Sequence, residues 1–291
     1  MDLLDVGSEA SRHWVRLPDL DVVVRRIFPV HRFLEAVRSG ELALVAPHLW
    51  DDPREDAPSL CMLNGQMHVS GKKSQQPLSD FLAPVWAQCW SINPGSDTLL
   101  RAYSQVRVDP KTKRNIFPDQ EGVTVSTTVR NLLALGERWH REEANGHLVV
   151  GRVEYLDDQE IWQRIVNGCN GKLGPRMFGT VQGRAESLLW KRKFFQHEAE
   201  VRLILIDRTK PPARVPSVRL LKFDPNDTFL TVSVDPRLVP FEAREREQQI
   251  RDAGFAGEIK RDDSYQKVLS ILEMHRDWDQ PEFTDPQADK S

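Results

Sequence analysis

Short apolar runs rich in β-branched residues recur along the chain and predict its strands. A run of four to eight such residues, bounded by Gly, Pro, Asn or Asp, is typical of a strand. The pattern predicts strands at 21–28, 42–47, 83–92, 121–128, 147–157, 194–207, 217–223 and 229–236.

Other stretches place apolar residues three and four positions apart, which is the period of an amphipathic helix. In the first of them Val30, Phe33 and Val37 share one face, and Gly40 follows as a C-cap. The spacing predicts helices at 30–41, 97–106, 129–144, 158–169, 185–196 and 241–254, and a last short helix or strand at 264–274. Ser96 or Asp97 is expected to be the N-cap of the helix at 97–106.

Polar and glycine-bearing segments separate these elements. Residues 62–80 predict a loop, and residues 170–184 predict a linker. The elements follow no strict β-α-β alternation and no internal repeat, which favours an α+β fold. We expect one mixed domain over residues 1–275, with a central, mostly antiparallel sheet system and flanking helices. The polar residues 276–291 predict a flexible tail.

Composition and charge narrow the partners. The 291 residues carry a formal net charge of −3, which gives no overall electrostatic reason to expect nucleic acid or an anionic membrane. The chain contains no run of roughly 18 apolar residues, the length of a membrane span. Its three cysteines form no zinc-type spacing, and the first residues contain no apolar run of signal-peptide length. We therefore expect a cytoplasmic protein that does not contact a membrane.

The predicted strand at 194–207 begins with charges, although its second half is apolar. Glu198, Glu200 and Arg202 follow one another at a spacing of two, so a regular strand would point all three to one face. Two carboxylates on one face repel each other unless a cation, a ligand or solvent meets them. These charges form either an exposed Glu200–Arg202 ladder or the floor of a binding cleft.

Two more strands carry polar groups. Arg25 and Arg26 end the first predicted strand, and alternation sends one of them to each side of the sheet. They are either surface arginines at a strand end or a grip for phosphate, which arginine binds with two parallel hydrogen bonds. Ser91 ends the strand at 83–92, beside a turn and a helix start. It is either a turn serine or a ligand for a ribose.

The order of these residues, Arg, then Ser on a strand, then Glu-x-Glu on a strand, resembles the ADP-ribosyltransferase superfamily. This resemblance implies NAD as cofactor and an ADP-ribosyltransferase-like fold. In that chemistry a Glu stabilises the oxocarbenium-like state that forms as nicotinamide leaves. The usual Ser-Thr-Ser is Cys-Trp-Ser here, at residues 89–91, and the interval between Ser and Glu is long.

A second resemblance extends over residues 23–265, to a bacterial family catalogued as domain of unknown function 2971. The opening Arg-bearing strand, helix and second strand lead to an aromatic-x-Asp-Pro-x-Glu element, here residues 50–55. Residues 85–104 and 191–204 resemble its Cys-aromatic-Ser strand and its Lys…Phe…Glu-x-Glu-x-Arg segment. Tyr103 matches, whereas Leu100 and Arg101 replace the family's Met-Trp pair. The family implies a bacterial accessory protein in an antiviral-defence or toxin-like setting.

Together the two resemblances assign roles to individual residues. Glu200 is expected to be the catalytic carboxylate, Glu198 to select the acceptor, and Ser91 to orient the ribose. The matching opening arginine, Arg26, is expected to hold phosphate or ribose. The other expected ligand contacts are Arg202 beside the two acids and the stacking side chains Trp50 and Tyr103.

Two alternatives remain open from the residues alone. Basic segments at 111–114, 170–176 and 190–193, the last beside Phe194 and Phe195, suit a protein that binds nucleic acid or a nucleotide signal without chemistry. A metal-dependent nuclease would need a magnesium site of carboxylates. The candidates for that site are Asp51, Asp52, Glu55, Glu198 and Glu200.

Overall fold

The structure is a computed structural model, and it describes residues 14–17, 19–66, 73–142, 146–207, 216–261 and 265. The expected tail at 276–291 and nearly all of the expected element at 264–274 lie outside these residues. Within them the chain has the predicted α+β architecture, with a mixed, mostly antiparallel sheet system and flanking helices. None of the helices described there is both long and apolar enough to cross a bilayer.

The strands are short, as the sequence pattern indicates. In chain order they are β1 (Trp14–Val15), β2 (Val23–Pro29), β3 (Glu41–Val45), β4 (Met62–Gln66), β5 (Lys73–Pro77), β6 (Val85–Ser91), β7 (Gly122–Thr128), β8 (Gly146–Arg152), β9 (Glu154–Leu156), β10 (Trp190–Arg192), β11 (Glu200–Asp207), β12 (Val218–Lys222), β13 (Thr231–Val234) and β14 (Glu258–Lys260).

The helices flank the sheet. They are α1 (Val30–Ser39), α2 (Asp97–Tyr103), α3 (Val129–Glu142), α4 (Asp158–Asn170), α5 (Val181–Ser187), α6 (Pro225–Thr228) and α7 (Pro240–Asp252). Five 3₁₀ helices are described between them, at Pro47–Leu49, Pro53–Leu60, Leu78–Phe81, Gly174–Gly179 and Lys193–Glu198.

The predicted caps explain two of the helix ends. Gly40 takes the left-handed conformation after α1, with φ of 64°, and its N–H donates to the Ala36 carbonyl. Glycine adopts this conformation without the steric penalty of a Cβ atom. At the start of α2 the Ser96 hydroxyl accepts from the Leu99 N–H.

Ten strands form the main sheet, and β6 is the strand where it branches. The strand order is β1-β8-β11-β6-β2-β7-β13-β14, with β3 and β12 attached beside β6. One edge of β6 pairs with β11 over seven residues. Its other edge makes a single bridge to β3, at Ala87, and a single bridge to β2, at Ser91. Between these two bridges the edge of β6 has no regular strand partner.

Apolar side chains cover both faces of the sheet near β6 and β11. On one face an aromatic group packs around Phe28, Phe33, Trp90 and Phe229, with ring centroids 6.0 to 6.4 Å apart. The other face packs against α5 and contributes a smaller cluster whose members include Ala87, Val149, Leu189, Ile204 and Ile206. This burial on both sides is why the second half of β11 is apolar throughout.

Three expectations about local structure are wrong. The predicted loop at 62–80 contains the antiparallel pair β4 and β5, and the predicted linker at 170–184 contains a 3₁₀ helix and the start of α5. The predicted helix at 185–196 is instead the end of α5, the strand β10 and part of a 3₁₀ helix. Strand β10 pairs with β9 in parallel, and this long-range pairing overrides the local helical spacing.

Candidate functional site

Three of the strands bring an arginine, a serine and a glutamate into one row. Glu200 on β11 lies opposite Ser91 on β6, and Ser91 lies opposite Arg25 on β2. Residues that are directly opposite in neighbouring strands share a face, and the strands are about 4.8 Å apart. Arg25, Ser91 and Glu200 therefore lie side by side, although up to 175 residues of sequence separate them.

This row forms the floor of a cleft of about 1300 Å³. That volume exceeds the 300 to 1,000 Å³, roughly, of a typical small-molecule site. All seven residues that the sequence suggested for catalysis or cofactor binding lie in or beside the cleft. Those that line it directly are Arg26, Trp50, Ser91, Tyr103, Glu198 and Glu200, together with Arg25 and Lys191.

Arg202 lies two residues after Glu200 on the same face of β11 and holds its carboxylate. Its side chain is fully buried, and its Nε and a terminal nitrogen donate to the two carboxylate oxygens of Glu200 at 2.9 and 3.0 Å. The guanidinium group also donates to the Leu188 carbonyl at 2.6 Å and to Glu55. The donors of Arg202 are thus directed at these acceptors, and Arg202 is not among the residues that line the cleft, where the sequence analysis expected a direct ligand contact.

Lys191 joins three carboxylates at one ammonium group. Its Nζ lies 3.1 Å from Glu55 Oε1, 2.6 Å from Glu198 Oε2 and 3.1 Å from Glu200 Oε2. An ammonium group has three donors, so these contacts use all of them. The lysine is only 5% exposed, and its Nζ also lies 4.9 Å from the centre of the Phe195 ring.

The cluster keeps Glu200 ionised. Burial alone would raise the pKa of Glu200, but the charges of Arg202 and Lys191 lower it to about 2. Burial raises the pKa of Glu55 against the opposing effect of the same two cations. The pKa of Lys191 is raised, since Glu200 and Glu55 outweigh its burial. By formal charge, the five side chains of this cluster, Lys191, Arg202, Glu55, Glu198 and Glu200, carry two positive and three negative charges.

Glu198 lies on the preceding 3₁₀ helix rather than on the strand predicted at 194–207. Between Glu198 and Glu200 the chain passes through Ala199, which takes the left-handed conformation with φ of 45° and ψ of 54°. This turn brings Glu198 back over Lys191. Its Oε2 accepts from Lys191, while no donor in the described ranges contacts its Oε1. Glu198 lines the cleft, and it is the member of the cluster with an oxygen that accepts from no donor in the described ranges.

The hydroxyl of Ser91 holds the turn after β6. It donates to the Glu198 carbonyl at 2.6 Å and accepts from the Asn93 N–H at 3.0 Å. These bonds fix the end of β6 against the segment that carries Glu198. These contacts are those of a turn serine, one of the two roles that the sequence suggested for Ser91. Ser91 also lies at the centre of the Arg25–Ser91–Glu200 row.

Arg25 and Arg26 leave β2 on opposite faces, as alternation predicts. Arg26 shares its face with the buried Val24 and Phe28, lies 5.1 Å from the Phe28 ring centre and donates to the Cys89 carbonyl at 2.5 Å. It fills the gap where β6 has no strand partner, and burial lowers its pKa. Its Nε is buried without a hydrogen-bond partner.

Arg25 points to the open face of the cleft. No ion pair or hydrogen bond from its side chain occurs within the described part of the chain, and it lies opposite Ser91 on one side and Ser126 on the other. The sequence analysis assigned the ligand-binding role to Arg26. The geometry presents Arg25 instead as the unpaired cation, because Arg26 is occupied between the strands.

The two candidate stacking residues, Trp50 and Tyr103, differ in how far their rings are already covered by other side chains. The Arg202 guanidinium carbon lies 4.6 Å from the ring centre of Trp50, so one face of that indole is already covered. Tyr103, at the end of α2, is 52% exposed and lines the cleft. Burial of its phenol together with the nearby Glu198 raises the pKa of Tyr103 to about 12, so it stays neutral.

The basic segment at 190–193 is largely neutralised. Lys191 belongs to the buried cluster, Arg192 pairs with Asp52 at 2.9 Å, and Lys193 pairs with Glu160 at 3.1 Å. Cations that are already paired with carboxylates release few counterions when a protein binds nucleic acid. The carboxylates suggested for magnesium do not form an open ligand set, because Lys191 lies between three of them. No metal-binding group of His, Cys, Asp and Glu is found where the structure is described.

Sequence reasoning missed two members of the cluster. Glu55 appeared as a metal candidate and as the last residue of the aromatic-x-Asp-Pro-x-Glu element. Lys191 appeared in a basic patch and as the first residue of the Lys…Phe…Glu-x-Glu-x-Arg segment. Neither was assigned a place beside Glu200. Lys191 lies between Trp190, which is 6% exposed, and the aromatic pair Phe194–Phe195. Such an apolar setting, followed by two acids, is the signal that could have indicated a buried lysine.

Comparison with known proteins finds no matching family model, no similar curated protein and no similar solved structure. Both resemblances described from the sequence therefore stay predictions.

Proposed function

We propose that the cleft binds NAD or a related nucleotide and that the protein is ADP-ribosyltransferase-like. The single observation that carries this proposal is the Arg25–Ser91–Glu200 row on the cleft floor. It brings a cation, a hydroxyl and a carboxylate together in the order Arg, Ser, Glu, with Arg25 in place of the Arg26 that the resemblance indicated. The proposed setting, a bacterial defence or toxin-like system, rests on the sequence resemblance alone.

Arg25 is the proposed contact for phosphate. A guanidinium group binds a phosphate with two parallel hydrogen bonds, and an unpaired one needs to break no ion pair first. Arg26 keeps a supporting role, since it holds β2 against the Cys89 carbonyl beside the row.

The carboxylate cluster is the proposed site of bond cleavage. When the bond between nicotinamide and ribose breaks, its electron pair leaves with the nicotinamide nitrogen and positive charge develops on the ribose. Two cations and three carboxylates leave one excess negative charge in the cluster, which stabilises that state. A nucleophilic acceptor then bonds to the ribose carbon and releases a proton.

Glu198 is the carboxylate that we propose to contact the ribose. Its free Oε1 lies at the cleft, whereas Glu200 is 2% exposed and both its oxygens already accept hydrogen bonds. Glu200, which the sequence analysis expected to be catalytic, takes the part of a buried anchor for Lys191 and Arg202 in this proposal. The saturation of Glu200 also favours a second candidate, a protein that binds a nucleotide signal without cleaving it.

Calorimetric titration of NAD into the purified protein tests the proposal. We expect micromolar binding that Arg25→Ala weakens at least tenfold. Arg32→Ala serves as the matched control, because Arg32 is exposed on α1 and, among the described residues, pairs only with Glu35. No heat from folded wild-type protein would contradict the proposal.

A transfer assay with radiolabelled NAD then separates the two candidates. A transferase loses labelled product in Glu198→Gln while NAD still binds. A nucleotide-signal protein binds NAD, leaves it intact over hours and transfers no label in either form.

A further inference from the structure

The polar row continues past Arg25 onto the other half of the cleft. Arg25 lies opposite Ser126 on β7, and Ser126 lies opposite Thr231 on β13. The hydroxyls of Ser126 and Thr231 are hydrogen-bonded to each other at 2.6 Å. From Glu200 to Thr231 the row crosses five strands, and Arg25 occupies its middle position.

A second polar row lies beside the first. Thr124 on β7 lies opposite Ser233 on β13, and Ser233 lies opposite Lys260 on β14. All three line the same cleft as Arg25. The hydroxyls of Thr124 and Ser233 make no hydrogen bond in the described ranges, and Lys260 has one exposed pairing, 3.6 Å from Glu258. Together the two rows form a face of hydroxyl side chains, with Arg25 at one end of this face and Lys260 at the other.

This face differs chemically from its own reverse side. The alternate residues of the same strands, Val123, Val125, Val232 and Val234, are buried in the apolar core. The cleft side instead presents Thr124, Ser126, Thr231 and Ser233, and their hydroxyls are suited to the hydroxyls and phosphate oxygens of a sugar phosphate. The carboxylate cluster lies on the other side of Arg25, with its residue Glu200 on β11, two strands away from β2.

We infer that the hydroxyl face of β7 and β13 binds the adenosine monophosphate half of a dinucleotide. The inference rests on the proposed function, in which the nicotinamide half lies at the carboxylate cluster. A dinucleotide carries its two phosphates in the middle with a nucleoside on either side. Arg25 lies at the middle of the row, so a ligand whose phosphates meet Arg25 places one nucleoside over Glu198 and the other over Thr124 and Ser233.

Three ligands separate the two halves of the cleft. We would titrate NAD, adenosine monophosphate and nicotinamide mononucleotide into wild-type protein and into the double variant Thr124→Val, Ser233→Ala. Valine matches the shape and strand preference of threonine, so the change removes a hydroxyl and little else. Lys260→Ala is measured separately. Thr98→Val on the exposed face of α2 and Lys222→Ala on β12 are the matched controls outside the cleft.

The inference predicts a split between the ligands. In the double variant, adenosine monophosphate and NAD bind about tenfold more weakly, and in Lys260→Ala both bind several-fold more weakly. Both changes leave nicotinamide mononucleotide within twofold of wild type, and the control variants change nothing. Thermal melting of each variant confirms that it is folded.

Other outcomes overturn the inference in distinguishable ways. If NAD binds and the cleft variants match wild type for all three ligands, the hydroxyl face is not a subsite while the proposed function stands. If the double variant weakens nicotinamide mononucleotide as much as adenosine monophosphate, the face does not distinguish the two halves. If folded wild-type protein binds none of the three, the proposed function and this inference both fail.

Discussion

Lys191 Nζ lies 3.1 Å from Glu200 Oε2 in a place where both side chains are almost completely removed from water. Taking two such charges out of water is unfavourable, and their attraction offsets this only while every partner is present. Here the partners are a further cation, Arg202, and two further carboxylates. The floor of the cleft is therefore a unit whose members depend on one another.

Replacing the lysine tests this dependence. Lys191→Met keeps most of the side-chain volume but leaves three carboxylates against one cation, so we expect a loss of about 3–5 kcal/mol of unfolding free energy. Urea unfolding at pH 7 measures it. Lys193→Met is the control, because its ion pairs with Asp157 and Glu160 are exposed and screened by solvent, so we expect a much smaller loss. Equal losses in the two variants would contradict a buried cluster.

The low pKa of Glu200 makes stability depend on pH. Its folded value of about 2 lies below the ordinary 4.5, so its contribution is fully present above pH 4.5 and is lost as the pH falls towards 2. Holding the pKa of Glu200 this far below its ordinary value corresponds to about 3 kcal/mol. Glu55, whose pKa is raised, contributes in the opposite sense.

Comparing wild type with Glu200→Gln isolates this contribution. We expect the wild type to be more stable by about 3 kcal/mol at pH 7, and the difference to shrink steadily between pH 4.5 and pH 2.5. Urea unfolding at a series of pH values measures it. A difference that stays constant over that range would show that Glu200 does not titrate with a depressed pKa.

Two neighbouring arginines give a matched pair for stability. Arg26→Ala removes the donor to the Cys89 carbonyl at the unpaired edge of β6, and we expect a loss of about 1–3 kcal/mol. Arg25→Ala changes an unpaired side chain on the open face, so its effect stays within about 0.5 kcal/mol. Chemical unfolding of both variants distinguishes them. A larger loss in Arg25→Ala would reverse the assignment of the two faces.

The sequence predicted much of the fold because the periodicity of apolar residues follows local geometry. Strands such as β2 and helices such as α1 are close to their predicted bounds, and Gly40 and Ser96 act as the predicted caps. The predictions failed where a distant pairing decides the structure. Strand β10 forms because β9 offers it a parallel partner, and nothing in residues 185–196 indicates that partner.

The residues of the candidate site could be predicted from the sequence as a set, but their arrangement in space could not. The spacing of Glu200 and Arg202 indicated one face, which the structure has, but the cations that neutralise the acids come from β10 and β11 together. The choice between Arg25 and Arg26 depends on which face of β2 packs on the core. The pairing of β2 with β6 and β7 determines that Arg25 shares a face with Ser91 and Ser126, because both arginines are equally compatible with the strand pattern.

The backbone conformation of Ala199 determines where Glu198 lies, and it is a left-handed conformation, which glycine adopts more readily than alanine. For an L-residue the left-handed region is unfavourable by roughly 1–2 kcal/mol, and glycine avoids this steric clash. Glycine also loses more backbone freedom on folding than alanine. We therefore expect Ala199→Gly to raise the unfolding free energy by about 0.5–1 kcal/mol. Ala43→Gly in the regular strand β3 is the control and should lower it by about 0.5–1 kcal/mol. Urea unfolding measures both, and a destabilised Ala199→Gly would mean that the turn between Glu198 and Glu200 is not left-handed.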